Sequence, residues 1–201
     1  MTALLGVILA GGKASRMGGG DKSLLPLAGR RIIDHVLERL QLQVSDLALN
    51  ANGDPARFTE FGLPVVADSV SEFPGPLAGV LAGLDWAAEQ GADHILTVAA
   101  DTPFFPMDLR SRLEQARVLQ AKPIALAATQ GFGKLYRHPT FGLWPVSLRD
   151  DLRQALATGM RKVVLWTDQH GAAETLFPSD GYDPFFNINT PEDLVKAEAM
   201  K

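Results

Sequence analysis

Three cationic side chains, Lys13, Arg16 and Lys22, are spaced among the glycines of the run Leu9-Ala10-Gly11-Gly12-Lys13-Ala14-Ser15-Arg16-Met17-Gly18-Gly19-Gly20-Asp21-Lys22. Glycine has no Cβ, so backbone N–H groups can approach an anion closely, and the cations can neutralise it. The run therefore has the chemistry of a phosphate-binding loop. It is not a Walker A loop, because no Gly-Lys-Ser/Thr triplet closes it, and it lacks the glycine spacing of a dinucleotide fingerprint. A loop that only turns the chain is the simpler alternative. The apolar stretch Leu4–Leu9 directly before it, together with the cations, favours phosphate.

A second group of residues supplies carboxylates and amides. Asp101 follows the apolar stretch Ile95–Ala99, where a strand should end. Magnesium is commonly held by one or two carboxylates plus substrate phosphate oxygens, so Asp101 is the metal candidate; its structural alternative is a turn Asp before Pro103. Asp68 follows Pro64–Ala67 and Asn50 follows Leu47–Leu49, so both can face the same crevice. Asp accepts from ribose hydroxyls or base N–H groups and Asn both donates and accepts, although each residue type is also common in turns. Gly75-Pro76-Leu77-Ala78-Gly79 opens a helical segment, as a pocket wall or as close packing against a sheet.

Other polar residues leave two readings open. His138 has neither a metal-ligand partner nor a nucleophile nearby in sequence, which points to a structural or ligand-contacting role rather than a general base. Arg161 and Lys162 can meet an anionic second substrate or simply start a helix. Asn187 and Asn189 share one face of an extended segment, where they can complete a phosphate or metal site or satisfy a helix cap.

These residues need elements to position them. Strand-like Leu4–Leu9, Leu47–Leu49, Val65–Val66 and Ile95–Ala99 alternate with helical patterns over Ile32–Leu42, Leu77–Ala88 and Leu109–Leu119. Such alternation predicts an α/β fold with a mainly parallel sheet, whose carboxyl end binds ligands. Further on, Ile124–Ala128 and Thr140–Trp144 read as strands at or near a sheet edge, separated by more than a tight hairpin, with a helix over Ser147–Leu156. Thr190-Pro191-Glu192-Asp193 starts a last helix, with Thr as N-cap and Pro at the first helical position.

Composition restricts the partners. The 201 residues fit a single domain, and a net charge of -4 offers no overall attraction for nucleic acid or an anionic membrane. Without cysteine there are no disulfides, thiolate metal sites or cysteine nucleophiles, which suits the cytoplasm. Leu4–Ala10 is too short to span a bilayer, and the N-terminus lacks a secretory pattern.

Taken together, the residues resemble the molybdenum cofactor guanylyltransferase family, within the nucleotidyltransferases that carry a glycine-rich N-terminal signature. The resemblance rests on Leu9–Gly12 through Arg16-Met17-Gly18 and Asp21-Lys22, then Asn50-Ala51-Asn52, Asp68 and Gly75–Gly79. It continues through Asp101-Thr102-Pro103, His138-Pro139-Thr140, Arg161-Lys162-Val163 and Asn187-Ile188-Asn189-Thr190-Pro191, spanning nearly the whole chain. The opening signature identifies only the broad class; the His138 and Asn187 motifs favour the guanylyltransferase branch.

The resemblance implies one three-layer Rossmann-like domain over residues 1–201, mainly parallel, with at least one antiparallel strand near the C-terminal half. It implies transfer of GMP from GTP to Mo-molybdopterin with release of pyrophosphate, a Mg²⁺ requirement, a cytoplasmic protein and contact with molybdenum-cofactor donor and acceptor proteins. A monomer is the favoured state. Leu9, Ala10, Gly11, Asn50 and Asp68 would contact the nucleotide, Lys22 its phosphates, and Asp101 both Mg²⁺ and GTP. Arg16, Lys22 and Asp101 would act on the transition state. A CTP-dependent cytidylyltransferase, another nucleotidyltransferase and a non-catalytic nucleotide-binding regulator are the competing readings.

Overall fold

Strand β1 (Leu4–Leu9) is followed, after the glycine-rich run, by a small antiparallel ribbon of β2 (Pro26–Leu27) and β3 (Arg30–Arg31), then α1 (Ile32–Leu40) and β4 (Asp46–Asn50). A 3-10 turn, Pro55–Phe61, leads to the short β5 (Val65–Val66), α2 (Pro76–Glu89), β6 (His94–Ala99) and α3 (Leu109–Leu119). The chain continues through β7 (Ile124–Gly131), β8 (Lys134–Pro145), α4 (Arg149–Ala157), α5 (Val163–His170), β9 (Ala172–Phe177) and α6 (Pro191–Ala199). The structure, a computed structural model, describes residues 3–11, 21–70, 75–131, 133–179 and 181–200.

Seven strands form one sheet in the order β5-β4-β1-β6-β8-β7-β9. All neighbouring pairs are parallel except those that β8 makes with β6 and β7. The central strands β1 and β6 are buried almost end to end, which explains their near-continuous apolar sequences. On one face Ile33, Val36 and Leu40 of α1 and Leu109 and Leu113 of α3 pack with Ile8, Leu49, Val98 and Phe141. On the other, Leu77, Leu81, Leu84, Leu152 and Trp166 pack with Val7, Ala48, Ile95 and Trp144. Helices on both faces make three layers. The buried Trp144 keeps its indole N–H satisfied by donating to Thr97 Oγ1 at 2.8 Å.

The register aligns the strand ends that matter. Leu9 lies opposite Asn50 on one side and Ala99 on the other, while Asn50 lies opposite Val66. The first residues beyond the strands continue the pairing: Ala10 N–H donates to Asn50 O at 2.8 Å, Ala51 to Val66 O at 3.1 Å and Ala100 to Leu9 O at 3.1 Å. Ala10, Ala51, Ala67 and Ala100 are thus brought to one carboxyl edge, and the polar residues next to them share it.

The C-terminal half corrects two expectations. The strands around Gly131 are not set apart by a long connection, because β7 and β8 pair up to Gly131 opposite Lys134 as a tight hairpin. β7 lies next to the edge strand β9, as expected, but β8 sits further in, between β6 and β7. The reason is geometric. Pairing of β8 with β6 stops at Gly142 opposite Thr97, whereas its pairing with β7 runs on to Lys134, so the first half of β8 projects beyond β6. That half is exposed or partly exposed and carries no core-facing alternation by which a sequence could mark it as strand.

Candidate active site

The sheet's carboxyl edge carries the predicted residues in two clusters. Leu9 is half-buried and Ala10 buried, whereas Gly11 is exposed with open space where a Cβ would stand. Its backbone is therefore accessible to a ligand. Arg16, with Lys13, lies outside the described residues.

The first cluster centres on Asp101, just past β6. Its Oδ2 forms an ion pair with Lys22 Nζ, and its Oδ1 lies 3.1 Å from Thr102 Oγ1. Lys22 Nζ also donates to Asn189 Oδ1 at 2.7 Å. The segment Asn187–Asn189 is tied down from below, since Ile188 N–H donates to Asp101 O at 3.0 Å and Asn187 Oδ1 accepts from Thr102 Oγ1. Asn189 joins this cluster to the start of α6. Its side chain meets Lys22, and its backbone N–H donates to Asp193 Oδ2 at 3.0 Å in the first turn of α6. That bond, followed by those from Thr190, holds the Asp193 carboxyl below the ordinary range against the opposing effect of burial.

The second cluster joins Asn50 to Asp68. Asn50, buried at the end of β4, donates from Nδ2 to Asp68 Oδ1 at 2.9 Å and to Val66 O at 3.1 Å. Asn52 reaches the same carboxylate, donating to Oδ2 at 2.7 Å while accepting from the Asp68 N–H at 2.9 Å. Asp68 is thereby clamped by two amides. Gly79 in the first turns of α2 explains how the helix comes so near: a Cβ there would stand 2.3 Å from Asn50 Oδ1 and 3.0 Å from Leu9 Cδ2. Close packing accounts for this glycine, with Leu77 and Ala78 buried beside it.

The remaining candidates take supporting positions. His138 on β8 lies 2.9 Å through Nε2 from Thr129 Oγ1 and stacks on Phe185 with ring centroids 4.4 Å apart. Burial pushes its pKa below the ordinary histidine value, with Asp183 opposing, so the ring is neutral at pH 7. Arg161 donates to the carbonyls of Leu156 and Met160, and Lys162 stands at the N-cap position of α5 without a side-chain bond to it.

The sequence marks Asn52 and Thr102 only as members of the family motifs, without a role, and does not mark Arg57 at all. Asn52 and Thr102 adjoin recognised residues, which is the signal that could have found them. Arg57 had none, because its partner Asp21 is 36 residues away.

This arrangement offers a cation next to a carboxylate that can itself accept a cation. Among the described residues no group of three or more His, Cys, Asp or Glu could cage a metal. Asp101 is a single carboxylate of the kind magnesium takes together with waters and phosphate oxygens, and one of its oxygens is held here by Lys22.

Comparison with known proteins covers nearly the whole chain. Residues 6–172 match the family described as MobA-like NTP transferase domain. The chain is 54% identical over 197 residues to a molybdenum cofactor guanylyltransferase of Rhodopseudomonas palustris (strain BisB5), covering 96% of this chain and 92% of that protein. It is 51% identical over 202 residues to the protein of the same name from Bradyrhizobium sp. (strain ORS 278), covering 99% and 93%. The crystal structure of molybdopterin-guanine dinucleotide biosynthesis protein A from Archaeoglobus fulgidus shares the fold, with a TM-score of 0.71 and 23% identity over 98% of this chain and 97% of that one.

Proposed function

The chain belongs to the MobA-like NTP transferase family, and from that premise we propose that it is a molybdenum cofactor guanylyltransferase, forming Mo-molybdopterin guanine dinucleotide from GTP and Mo-molybdopterin. The supporting observation is the meeting of Asp101, Lys22 and Asn189 at the carboxyl edge of the sheet, beside the glycine-rich run. Relatives bearing the guanylyltransferase name across nearly the full length support the choice of reaction.

In this reading an oxygen of the pterin's terminal phosphate attacks the α-phosphorus of GTP in line. A new P–O bond forms, the bond from α-phosphorus to the bridging oxygen breaks, and pyrophosphate leaves with that oxygen. The nucleophile is already an anion, so the site's task is to position it and offset charge rather than to remove a proton. Lys22 offsets phosphate charge, and Arg16 of the glycine-rich run would add to it. Leu9, Ala10 and Gly11 present backbone to the nucleotide, while Asn50 and Asp68 hold its nucleoside part. Asp101 would hold Mg²⁺, which supplies charge neutralisation at phosphate oxygens. We place the reaction in the cytoplasm, on a monomer acting as one domain over residues 1–201, with cofactor donor and acceptor proteins as partners. Among the described residues no helix is long and apolar enough to cross a membrane.

The test is a reconstituted assay with Mo-molybdopterin and each nucleoside triphosphate in turn, following dinucleotide product and pyrophosphate together. Turnover with GTP well above that with CTP is expected. Preference for CTP would replace this reading with a cytidylyltransferase, and nucleotide binding without pyrophosphate release would replace it with a regulator.

A further inference from the structure

Arg57 stands in the 3-10 turn after β4, and its guanidinium joins two segments that the chain keeps apart. Nη1 donates to both carboxylate oxygens of Asp21, each at 2.6 Å. Nη2 donates to Asn52 O at 2.5 Å and Nε to Asp54 O at 2.8 Å. Every guanidinium nitrogen is therefore engaged. Asp21 immediately precedes Lys22, which meets Asp101, and Asn52 is one of the two amides that clamp Asp68. One planar group thus bridges the exit of the glycine-rich run to the turn that organises the other half of the site.

We infer that Arg57 is a positioning residue for nucleotide: it fixes Asp21, and through it Lys22, relative to the Asn50–Asn52–Asp68 cluster, so that the phosphate and nucleoside sides are set as one unit. The inference rests on the nucleotidyltransferase reading above. Its physical basis is the shape of the donor. A guanidinium presents a rigid fork that can serve a carboxylate on one side and carbonyls on another, which a single ammonium cannot span. The Asp21 side chain is 11% exposed and that of Arg57 35%. Removing Arg57 leaves this largely buried carboxylate without its partner and so lowers stability as well, and the readout specific to positioning is a loss of GTP affinity that guanosine does not share.

The experiment compares the full-length wild type with Arg57→Ala, Arg57→Lys, Lys22→Ala and the double variant Arg57→Ala/Lys22→Ala. It measures thermal unfolding and calorimetric affinity for GTP and for guanosine. Arg57→Ala should unfold at lower temperature than wild type but stay folded at the assay temperature, bind GTP about tenfold more weakly and bind guanosine within about threefold of wild type. Arg57→Lys should restore less than half of the lost GTP affinity. In the Lys22→Ala background, Arg57→Ala should cost nothing further, because the residue acts through Lys22. GTP affinity unchanged in Arg57→Ala, equal losses for GTP and guanosine, or a second full loss in the Lys22→Ala background would each overturn the inference. Should Arg57→Ala not fold, Asp21→Asn is held to the same pattern. A wild type that binds CTP but not GTP sinks the guanylyl reading alone, and the comparison is then made with CTP and cytidine. A wild type that binds neither overturns both.

Discussion

At the scale of the residue, the ion pair between Lys22 and Asp101 brings together two groups that catalysis would use separately, the ammonium on phosphate and the carboxylate on a metal. Both side chains are partly buried, 12% and 21% exposed, so each steadies the other when no triphosphate separates them. Asp101→Ala should reduce pyrophosphate release from GTP and Mo-molybdopterin by at least about 100-fold, as expected for a group aimed at developing charge. Lys22→Ala should weaken GTP binding, turnover or both. Thermal unfolding should show both variants folded; full Mg²⁺-dependent turnover in Asp101→Ala would refute the metal assignment, and unchanged values in Lys22→Ala its phosphate role. Asp101 and Lys22 were legible in the sequence because a carboxylate at a strand end and a lysine closing a glycine-rich run carry meaning locally. The bond from Lys22 to Asn189 was not, because it joins positions 167 residues apart that no local pattern connects.

At the scale of the element, the close approach of α2 to β4 sets how Asn50 is held. Asn50 cannot simply rotate away from an intruding group, because its amide is already committed to Val66 O and Asp68 Oδ1. Gly79→Ala would put a methyl group 2.3 Å from Asn50 Oδ1, so either the helix shifts or Asn50 loses Asp68. Overpacking of this kind costs about 1–3 kcal/mol. The variant should unfold at lower temperature and bind GTP more weakly than wild type; retention of both values would mean that the helix relaxes without disturbing the amide clamp. The parallel strands and their helices were readable from apolar runs and helical spacing, since both faces of that part of the sheet are covered. The projecting half of β8 and the edge strand β9 were not, because a strand exposed on one or both sides loses the unbroken apolar run that marks its buried neighbours. The tightness of the β7–β8 hairpin is hidden in the sequence for the same reason.

At the scale of the whole molecule, aromatic packing connects the hairpin to the segment that crosses the site. Phe185 stacks on His138 at 4.4 Å and meets Phe141 at 4.8 Å and Phe177 at 5.4 Å, two residues before Asn187. This contact makes the protonation of His138 a question of stability. Burial lowers its pKa in the folded protein, and the unfolded chain returns it to about 6.5. Between those two values the unfolded state binds more protons, so the free energy of unfolding rises with pH there. The stability associated with the neutral ring is complete above about 6.5 and is lost as pH falls through the lower folded value. His94, also lowered by burial first and by Arg117 second, contributes a slope of the same sign, whereas Asp193 acts in the carboxylate range below. His138→Gln keeps a polar partner for Thr129 but cannot titrate. Unfolding temperatures measured from pH 7.5 to 5 should therefore fall less steeply with acid in this variant than in wild type. Parallel curves would show that the folded protein accepts a proton on His138 without penalty, and the Phe185 stack would then be no barrier to charge at the base of the segment that holds Asn187 and Asn189.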